Sequence, residues 1–259
     1  MKRLSIAQIK EELFQERPPS AEFLEQLAED ERKGVQQVVK RYEQKRKKEQ
    51  QMLEEYERMN KYEAKLIKEG YQAVAGIDEV GRGPLAGPVT AAAVILGHQE
   101  EKLLGLTDSK ILSEAKREYY YEKIMDQAEA VGVVHIPAEM IDKVNIYQAT
   151  KIAMVEAVQK LSKKADHLLI DAMNLPLPVP QTSIVKGDAN SLSIAAASVI
   201  AKVTRDRLMQ DIHEEYPQYG FSRNAGYGTR EHIEAMRTYG ITRYHRKSFS
   251  PVPSFAKDE

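Results

Sequence analysis

Carboxylate side chains follow three short apolar runs of this 259-residue chain. Runs of four or five apolar residues are typical of buried strands, and open α/β sheets place their chemistry where such strands end. A buried acid is costly unless a cation or hydrogen-bond donors balance it. The pattern therefore predicts one shared metal site, although an Asp-Glu pair taken alone is more often solvated surface. The carboxylates are Asp78 and Glu79 after the first run, Asp171 after the second and Asp188 after the third.

The available ligands limit which metal this site holds. The chain has no cysteine, which excludes thiolate zinc and iron–sulfur sites. Its six histidines show no metal-binding spacing, so we expect them at the surface or in packing. Carboxylates favour Mg²⁺ or Mn²⁺, which activate water and neutralise charge on a phosphoryl group. We therefore expect Mn²⁺ or Mg²⁺ as cofactor, in chemistry of the kind that nucleases and polymerases use.

A glycine-rich turn follows the first two acids, with Gly81, Gly83 and Gly87. It indicates either a simple hairpin or a surface where a ligand reaches bare backbone. The glycine spacing matches neither a dinucleotide-binding motif nor a P-loop. Because side chains alternate along a strand, Asp78 and Glu79 should point to opposite faces. Asp78 and Glu79 can bind one metal cluster only if the strand bends there or if the backbone carbonyl of Glu79 is also a ligand. The sequence leaves this open.

The composition argues against several classes of protein. The 38 basic and 39 acidic residues nearly balance, so any nucleic-acid contact must use local patches. No apolar run is long enough for a membrane span, and the first residues lack the apolar core of a signal peptide. With the absence of cysteine, these features predict a protein of the cytoplasm that makes no membrane contact.

Charged residues are denser in residues 1–70 than in 71–259, which predicts a helical accessory domain followed by a packed α/β domain. Ser5 and Ser20 have the spacing of helix caps, on either side of Pro18-Pro19. Met52, Met59 and Leu66 recur every seven residues and predict one side of a long helix. The basic run 45–48 indicates a solvated face or a phosphate clamp.

In 71–259 we expect strands at 71–79, 88–97, 131–136, 167–171 and 182–187, and helices at 113–130, 138–163, 190–216 and 229–240.

Seven motifs, in this order and spacing, resemble bacterial ribonuclease HII over essentially all of 71–254. The family has a ribonuclease H-like α/β fold, a mixed sheet flanked by helices, and some members carry a helical N-terminal extension. It hydrolyses RNA in RNA–DNA hybrids and acts on single ribonucleotides in duplex DNA. The motifs are Gly76–Val89, Thr107–Lys110, Ile170–Ala172, Lys186–Asp188, Ser193–Val199, Gly226–Gly228 and His245–Phe249.

The resemblance implies a role for each site residue. The four carboxylates resemble a two-metal site for attack on the phosphate 5′ to a ribonucleotide, which leaves 3′-hydroxyl and 5′-phosphate ends. In it, Asp78 and Asp171 bind metal most directly and Asp188 is peripheral. The implied partners are RNA–DNA hybrids and ribonucleotide-containing duplexes. Separately, we expect the protein to be a monomer. The implied substrate-binding residues are Gly81, Arg82 and Gly83 for the 2′-hydroxyl, Lys110 for a phosphate and Tyr227 for stacking at the junction.

The sequence leaves open the role of two further basic clusters and the choice among three alternative functions. Lys202, Arg205 and Arg207 on one helix, and the run His245–Lys247, either cover solvent or follow a DNA strand. Ribonuclease HIII is the nearest alternative, although its N-terminal domain is strand-rich and it lacks the Gly-Arg-Gly turn. A resolvase-like nuclease on the same fold and a non-catalytic hybrid-binding module or scaffold are the others.

Overall fold

The computed structural model describes residues 4–15, 17–97 and 102–256. Its contacts divide the chain into two compact units, Met1–Glu55 and Tyr56–Glu259. The predicted boundary at residue 70 lies beyond this division and stays a prediction. In the described residues, no helix is both long and apolar enough to cross a membrane.

The first unit is helical, as predicted. Ser5 forms the expected capping box with Gln8, and the Ser20 hydroxyl caps the second helix by accepting a hydrogen bond from the backbone N–H of Phe23. Apolar side chains from all three helices form a small core of their own. The predicted long helix through Leu66 is interrupted at Asn60, where a new helix begins. The helices are α1 (Ile6–Leu13), α2 (Ala21–Ala28), α3 (Lys33–Met59) and, in the second unit, α4 (Lys61–Lys68).

A mixed five-stranded sheet organises the second unit, in the order β3-β2-β1-β4-β5. Strands β1, β2 and β3 pair antiparallel, whereas β4 and β5 run parallel to β1. The prediction of an α/β fold with a mixed sheet is confirmed. The strands are β1 (Val74–Val80), β2 (Val89–Ile95), β3 (Ala130–Ile136), β4 (His167–Asp171) and β5 (Gln181–Ile184).

Helices cover both faces of this sheet. One face buries an apolar cluster with α6 and α7, and the other a second cluster with α5 and α8. The first half of α8 is buried at every position from Leu192 to Ala201, and its alanines permit close approach to the sheet. The helices are α5 (Glu114–Gln127), α6 (Ala138–Val144), α7 (Ile146–Gln159), α8 (Leu192–Glu215), α9 (Phe221–Asn224) and α10 (Arg230–Tyr239).

Two predicted elements were wrong in extent. The helix expected over 138–163 is divided at Asn145, whose φ of 69° lies outside the helical region and whose side chain caps α7. The strand expected over 182–187 ends at Ile184. Lys186 then adopts a left-handed conformation, and Gly187–Ala189 forms a 3-10 turn. Asp188 therefore lies in a turn and not at the end of a strand.

Gly76 shows how tightly α8 packs on β1. A Cβ atom at this position would lie 2.0 Å from the Ser193 carbonyl carbon and 2.4 Å from the Ile194 backbone nitrogen. Both atoms belong to helix backbone, so neither can move without shifting α8. Only glycine fits this contact.

We expect Gly76→Ala to lower the free energy of unfolding by about 1–3 kcal/mol or more, because α8 must separate from the sheet. Urea denaturation followed by circular dichroism measures the change. Gly83→Ala is the matched control, since its Cβ would meet its nearest neighbour at an ordinary 3.5 Å. Equal stability of the two variants would contradict this account of the packing.

Candidate active site

Two of the candidate carboxylates lie at the carboxyl ends of neighbouring parallel strands, Asp78 near the end of β1 and Asp171 as the last residue of β4. Strands β1 and β4 pair Ile77 with Ile170, so Asp78 and Asp171 follow at the same level. Asp171 also accepts a 2.7 Å hydrogen bond from the backbone N–H of Gly187, which ties it to the turn that carries Asp188. The charge of Asp171 raises the pKa of each of the other three acids, Asp78, Glu79 and Asp188. The four predicted acids therefore lie within electrostatic reach at one end of the sheet.

Asp78 and Glu79 have different immediate partners, as expected from the alternation of side chains along a strand. Asp78 is 4% exposed. Its pKa is raised well above the ordinary value by burial and then by the charge of Glu79, and the neighbouring Ser198 hydroxyl on α8 lowers it in part. Burial also raises the pKa of Glu79, and the ion pair with Arg82 at 3.2 Å offsets part of that rise.

Asp188 has a cationic neighbour across the site. Burial raises the pKa of its carboxyl group, the charge of Asp108 adds to the rise, and Lys110 opposes it. The Lys110 ammonium lies 3.4 Å from the Asp188 carboxylate while its side chain stays 72% exposed. Lys110 thus faces both the acids and the solvent. Asp108, for which the sequence predicted no role, contributes negative charge beside this pair.

The chemistry of these donors fits a hard divalent cation. Within residues 4–15, 17–97 and 102–256, no three His, Asp or Glu side chains converge as a ready set of metal ligands. The fit rests instead on donor type and charge. The acids offer only carboxylate oxygens, and the raised pKa of three of them reflects burial and mutual repulsion that a divalent ion would relieve.

The glycine turn after β1 is held from below by a buried arginine. Arg246 is fully buried, and its guanidinium donates to the carbonyls of Gly81, Arg82 and Gly87. Gly81 has a φ of +86°, and a Cβ there would meet the Arg205 side chain at 2.2 Å. The turn therefore has a fixed backbone conformation that requires glycine at position 81.

Arg205 is the second buried arginine of this region. It is 1% exposed, and its guanidinium donates to the carbonyls of Pro88, Ala225 and Ala86 at 2.9, 3.0 and 3.4 Å. Burial lowers its pKa, and burial together with the charge of Arg205 lowers the pKa of Arg246 to about 9. These two side chains join the glycine turn to the segment that precedes Tyr227.

Arg205, His245 and Arg246 are buried, so for these three residues both interpretations of the basic clusters, solvent cover and DNA contact, are wrong. Lys202 pairs with Asp206 at 2.6 Å, and Arg207 pairs with Glu118 at the same distance. The sequence carries no signal that separates a buried arginine from an exposed one here. The acceptors are backbone carbonyls, which any residue supplies.

Tyr227 lies beside the glycine turn and is 50% exposed. A Cβ built on Gly83 would lie 3.5 Å from its ring, so Tyr227 and the predicted 2′-hydroxyl turn border one surface. Its carbonyl accepts from Nδ1 of His232, which is buried against His245 with a 3.0 Å contact between their Nε2 atoms. The backbone N–H of Thr242 donates to Nδ1 of His245.

This arrangement assigns both imidazole tautomers. His245 Nδ1 is an acceptor, so its Nε2 carries the proton and donates to His232, whose Nδ1 donates to Tyr227. Burial lowers the pKa of both rings, that of His245 to about 3, which favours this neutral pair. The two histidines are packing residues, as expected from their sequence spacing, and they fix the backbone that carries Tyr227.

Comparisons with known proteins identify the family of the chain. The model of the ribonuclease HII family matches residues 75–252, and that of the ribonuclease HII N-terminal domain matches residues 5–67. Ribonuclease HII of Bacillus velezensis is 51% identical over 98% of this chain and 100% of its own length. The Bacillus subtilis enzyme is 61% identical over 72% of this chain and 73% of its own.

Solved structures show the same fold. Ribonuclease H2 of Pyrococcus horikoshii matches 70% of this chain and 96% of its own with a TM-score of 0.60 and 25% identity. A ribonuclease HIII described in complex with Mn²⁺ matches 72% of this chain and 70% of its own at a TM-score of 0.58, with 19% identity. From the site, the two family models and the full-length relative together, the chain belongs to the ribonuclease HII family, metal-dependent endoribonucleases that cleave RNA in RNA–DNA hybrids and at ribonucleotides embedded in DNA.

Proposed function

We propose that this protein cuts the phosphodiester bond 5′ to a ribonucleotide, in hybrids and in DNA duplexes with a single ribonucleotide, and leaves 3′-hydroxyl and 5′-phosphate ends. Two ions, Mn²⁺ or Mg²⁺, are held by Asp78, Glu79, Asp171 and Asp188. The observation that carries the proposal is electrostatic. Burial and the charge of Asp171 act together to raise the pKa of the other three acids, so the cluster holds negative charge that divalent ions would balance.

The carboxylates divide the work by position. Asp78, near the end of β1, and Asp171, at the end of β4, bind the ions most directly, and Asp188 in its turn is peripheral. When bound, the ions supply an activated water and neutralise charge on the phosphate. Lys110, which is exposed beside Asp188, contacts a substrate phosphate oxygen.

The glycine turn recognises the 2′-hydroxyl with its backbone. Because Arg246 binds the carbonyls of Gly81 and Arg82, the N–H groups of Arg82 and Gly83 in the same trans peptide units point the opposite way. Neither N–H donates to an acceptor within the described parts of the chain. Two such donors side by side suit a ribose 2′-hydroxyl and its neighbouring phosphate. DNA lacks the 2′-hydroxyl and therefore would not satisfy both donors in the same way.

Tyr227 stacks on the nucleotide next to the scissile phosphate. Its exposed ring borders Gly83, and its backbone is fixed through the buried histidine pair. Aromatic stacking tolerates any base, whereas the 2′-hydroxyl supplies the selectivity. The family assignment disfavours the ribonuclease HIII, resolvase and non-catalytic alternatives. The monomeric state and the cytoplasmic location stay predictions.

We expect a metal-dependent cut 5′ to the ribonucleotide in a DNA duplex that contains one, and no cut in the all-DNA duplex. Asp171→Asn should lower the rate on the order of 10²–10³-fold or more, because it removes a charged ligand. The fold should persist, since the amide oxygen still accepts from Gly187. End-labelled substrates resolved on a denaturing gel, with Mn²⁺, Mg²⁺ or chelator, measure this. Unaltered turnover by Asp171→Asn would refute the assignment.

The metal-free fold should be destabilised by Asp78 as pH rises. A raised carboxyl pKa means that the folded state holds the proton more tightly, so stability is lost as pH rises through the folded pKa. In chelator, Asp78→Asn should therefore be more stable than the parent near pH 7.5 by on the order of 1–3 kcal/mol, and the gain should shrink near pH 4. Thermal unfolding at both pH values tests this. A gain that does not depend on pH would show that repulsion is not its cause.

Tyr227→Ala should raise KM for the single-ribonucleotide duplex about tenfold, as expected when one stacking contact worth about 1–3 kcal/mol is lost. Tyr227→Phe keeps the ring and should stay near the parent value. Tyr239→Ala removes a tyrosine of similar exposure on α10 and serves as control. Steady-state kinetics of the three variants decides, and an equal loss in Tyr227→Phe would point to the hydroxyl group instead of stacking.

A further inference from the structure

Glu63 on α4 is a buried carboxylate that binds the start of α8. It is 7% exposed, and its Oε1 atom accepts hydrogen bonds from the Ser191 hydroxyl at 2.6 Å, the Ser193 hydroxyl at 2.6 Å and the Ser193 backbone N–H at 2.9 Å. A negative charge at this end of a helix also interacts favourably with the helix dipole. Glu63 therefore fixes the first turn of α8 from outside the sheet.

Arg58, near the end of α3, binds the turn just before α8. Its guanidinium donates to the side-chain oxygen of Asn190 at 3.0 Å and to the Ala189 carbonyl at 2.8 Å. Since the Asn190 oxygen accepts from Arg58, its amide nitrogen is the donor that bonds the Lys186 carbonyl at 2.8 Å. Arg58 thus orients the Asn190 amide, which in turn holds Lys186.

The turn between these contacts needs such support. Lys186 has φ 55° and ψ 47°, a left-handed conformation that is unfavourable for a residue with a side chain. Asp188 lies between Lys186 and the anchored residues that start α8. On the other side, Gly187 donates to Asp171. The position of Asp188 is therefore set by contacts at both ends of a strained turn.

We propose that Glu63 and Arg58 are positioning residues that hold Asp188 where it completes the metal site. This rests on the proposed function, in which Asp188 is a metal ligand. Both residues lie within the part matched by the N-terminal domain model, residues 5–67, yet they belong to the same compact unit as the sheet. The last part of the N-terminal region thus acts on metal affinity through Asp188 and touches neither substrate nor ion.

The test uses the full chain with Glu63→Ala, Glu63→Gln and Arg58→Met. We expect the Mn²⁺ concentration for half-maximal cleavage of the single-ribonucleotide duplex to rise about tenfold in Glu63→Ala and Arg58→Met, with KM for the duplex unchanged. Glu63→Gln should stay near the parent value, because its amide oxygen still accepts and its nitrogen replaces Oε2, which has no partner in the described structure. Glu57→Ala, exposed on α3, is the control.

Direct Mn²⁺ binding without substrate, followed by electron paramagnetic resonance at a temperature where circular dichroism shows folded protein, separates positioning from mere stability. Weaker binding in Glu63→Ala with rescue in Glu63→Gln supports the proposal. Unchanged Mn²⁺ affinity with a lower melting temperature overturns it. If Glu63→Ala does not fold, the surface variant Arg58→Met decides by the same criterion. Absence of Mn²⁺ binding in the parent protein would refute the metal site itself, and this inference with it.

Discussion

Two buried guanidinium groups constrain the glycine turn and the segment before Tyr227. Arg205 and Arg246 bind carbonyls from the glycine turn, from Pro88 just before β2 and from the segment before Tyr227. A buried charge that loses its partners is far more costly than one that keeps them. These loops therefore cannot move independently, since any displacement would leave a cation unsolvated. The lowered pKa of Arg246, about 9, expresses the same cost. Backbone that is fixed in this way can present donors to a ligand without first being ordered.

The carboxylate cluster opposes folding in a similar manner. Asp78 is almost fully buried next to other acids, so the metal-free protein carries repulsion that a well-packed core must outweigh. The packing of α8 on β1 and β2 supplies that stability, with alanines and Gly76 allowing backbone to approach backbone. Like-charged groups thus concentrate at the site, whereas the apolar layers beneath it are regular. Such a division is expected where function requires an arrangement that stability alone would not select.

Local patterns in the sequence were sufficient to predict the sheet, the helical N-terminal unit and the proximity of the four acids. The apolar runs that end in carboxylates predicted strands β1 and β4. That these two strands pair in parallel is seen only in the fold. Three features escaped prediction for physical reasons. Asn145 divides a helix through one positive φ, and Lys186 begins a turn through another soon after β5 ends at Ile184. Apolar periodicity reveals neither. Arg246 binds the Arg82 carbonyl 164 residues away. Because the acceptor is backbone, this contact depends on the tertiary structure and not on the type of residue that supplies the carbonyl.

The division of the chain into units bears on what its N-terminal region does. A sequence boundary drawn from composition at residue 70, or from the family model at residue 67, assigns Glu63 to an accessory domain. The contacts place it with the sheet, where its carboxylate binds two serines at the start of α8. Composition cannot detect this, because a helix that is mostly exposed keeps its charged character even when one acid is buried. The end of the N-terminal region therefore contacts the start of α8 and the turn of Asp188, and it belongs to the compact unit that begins at Tyr56.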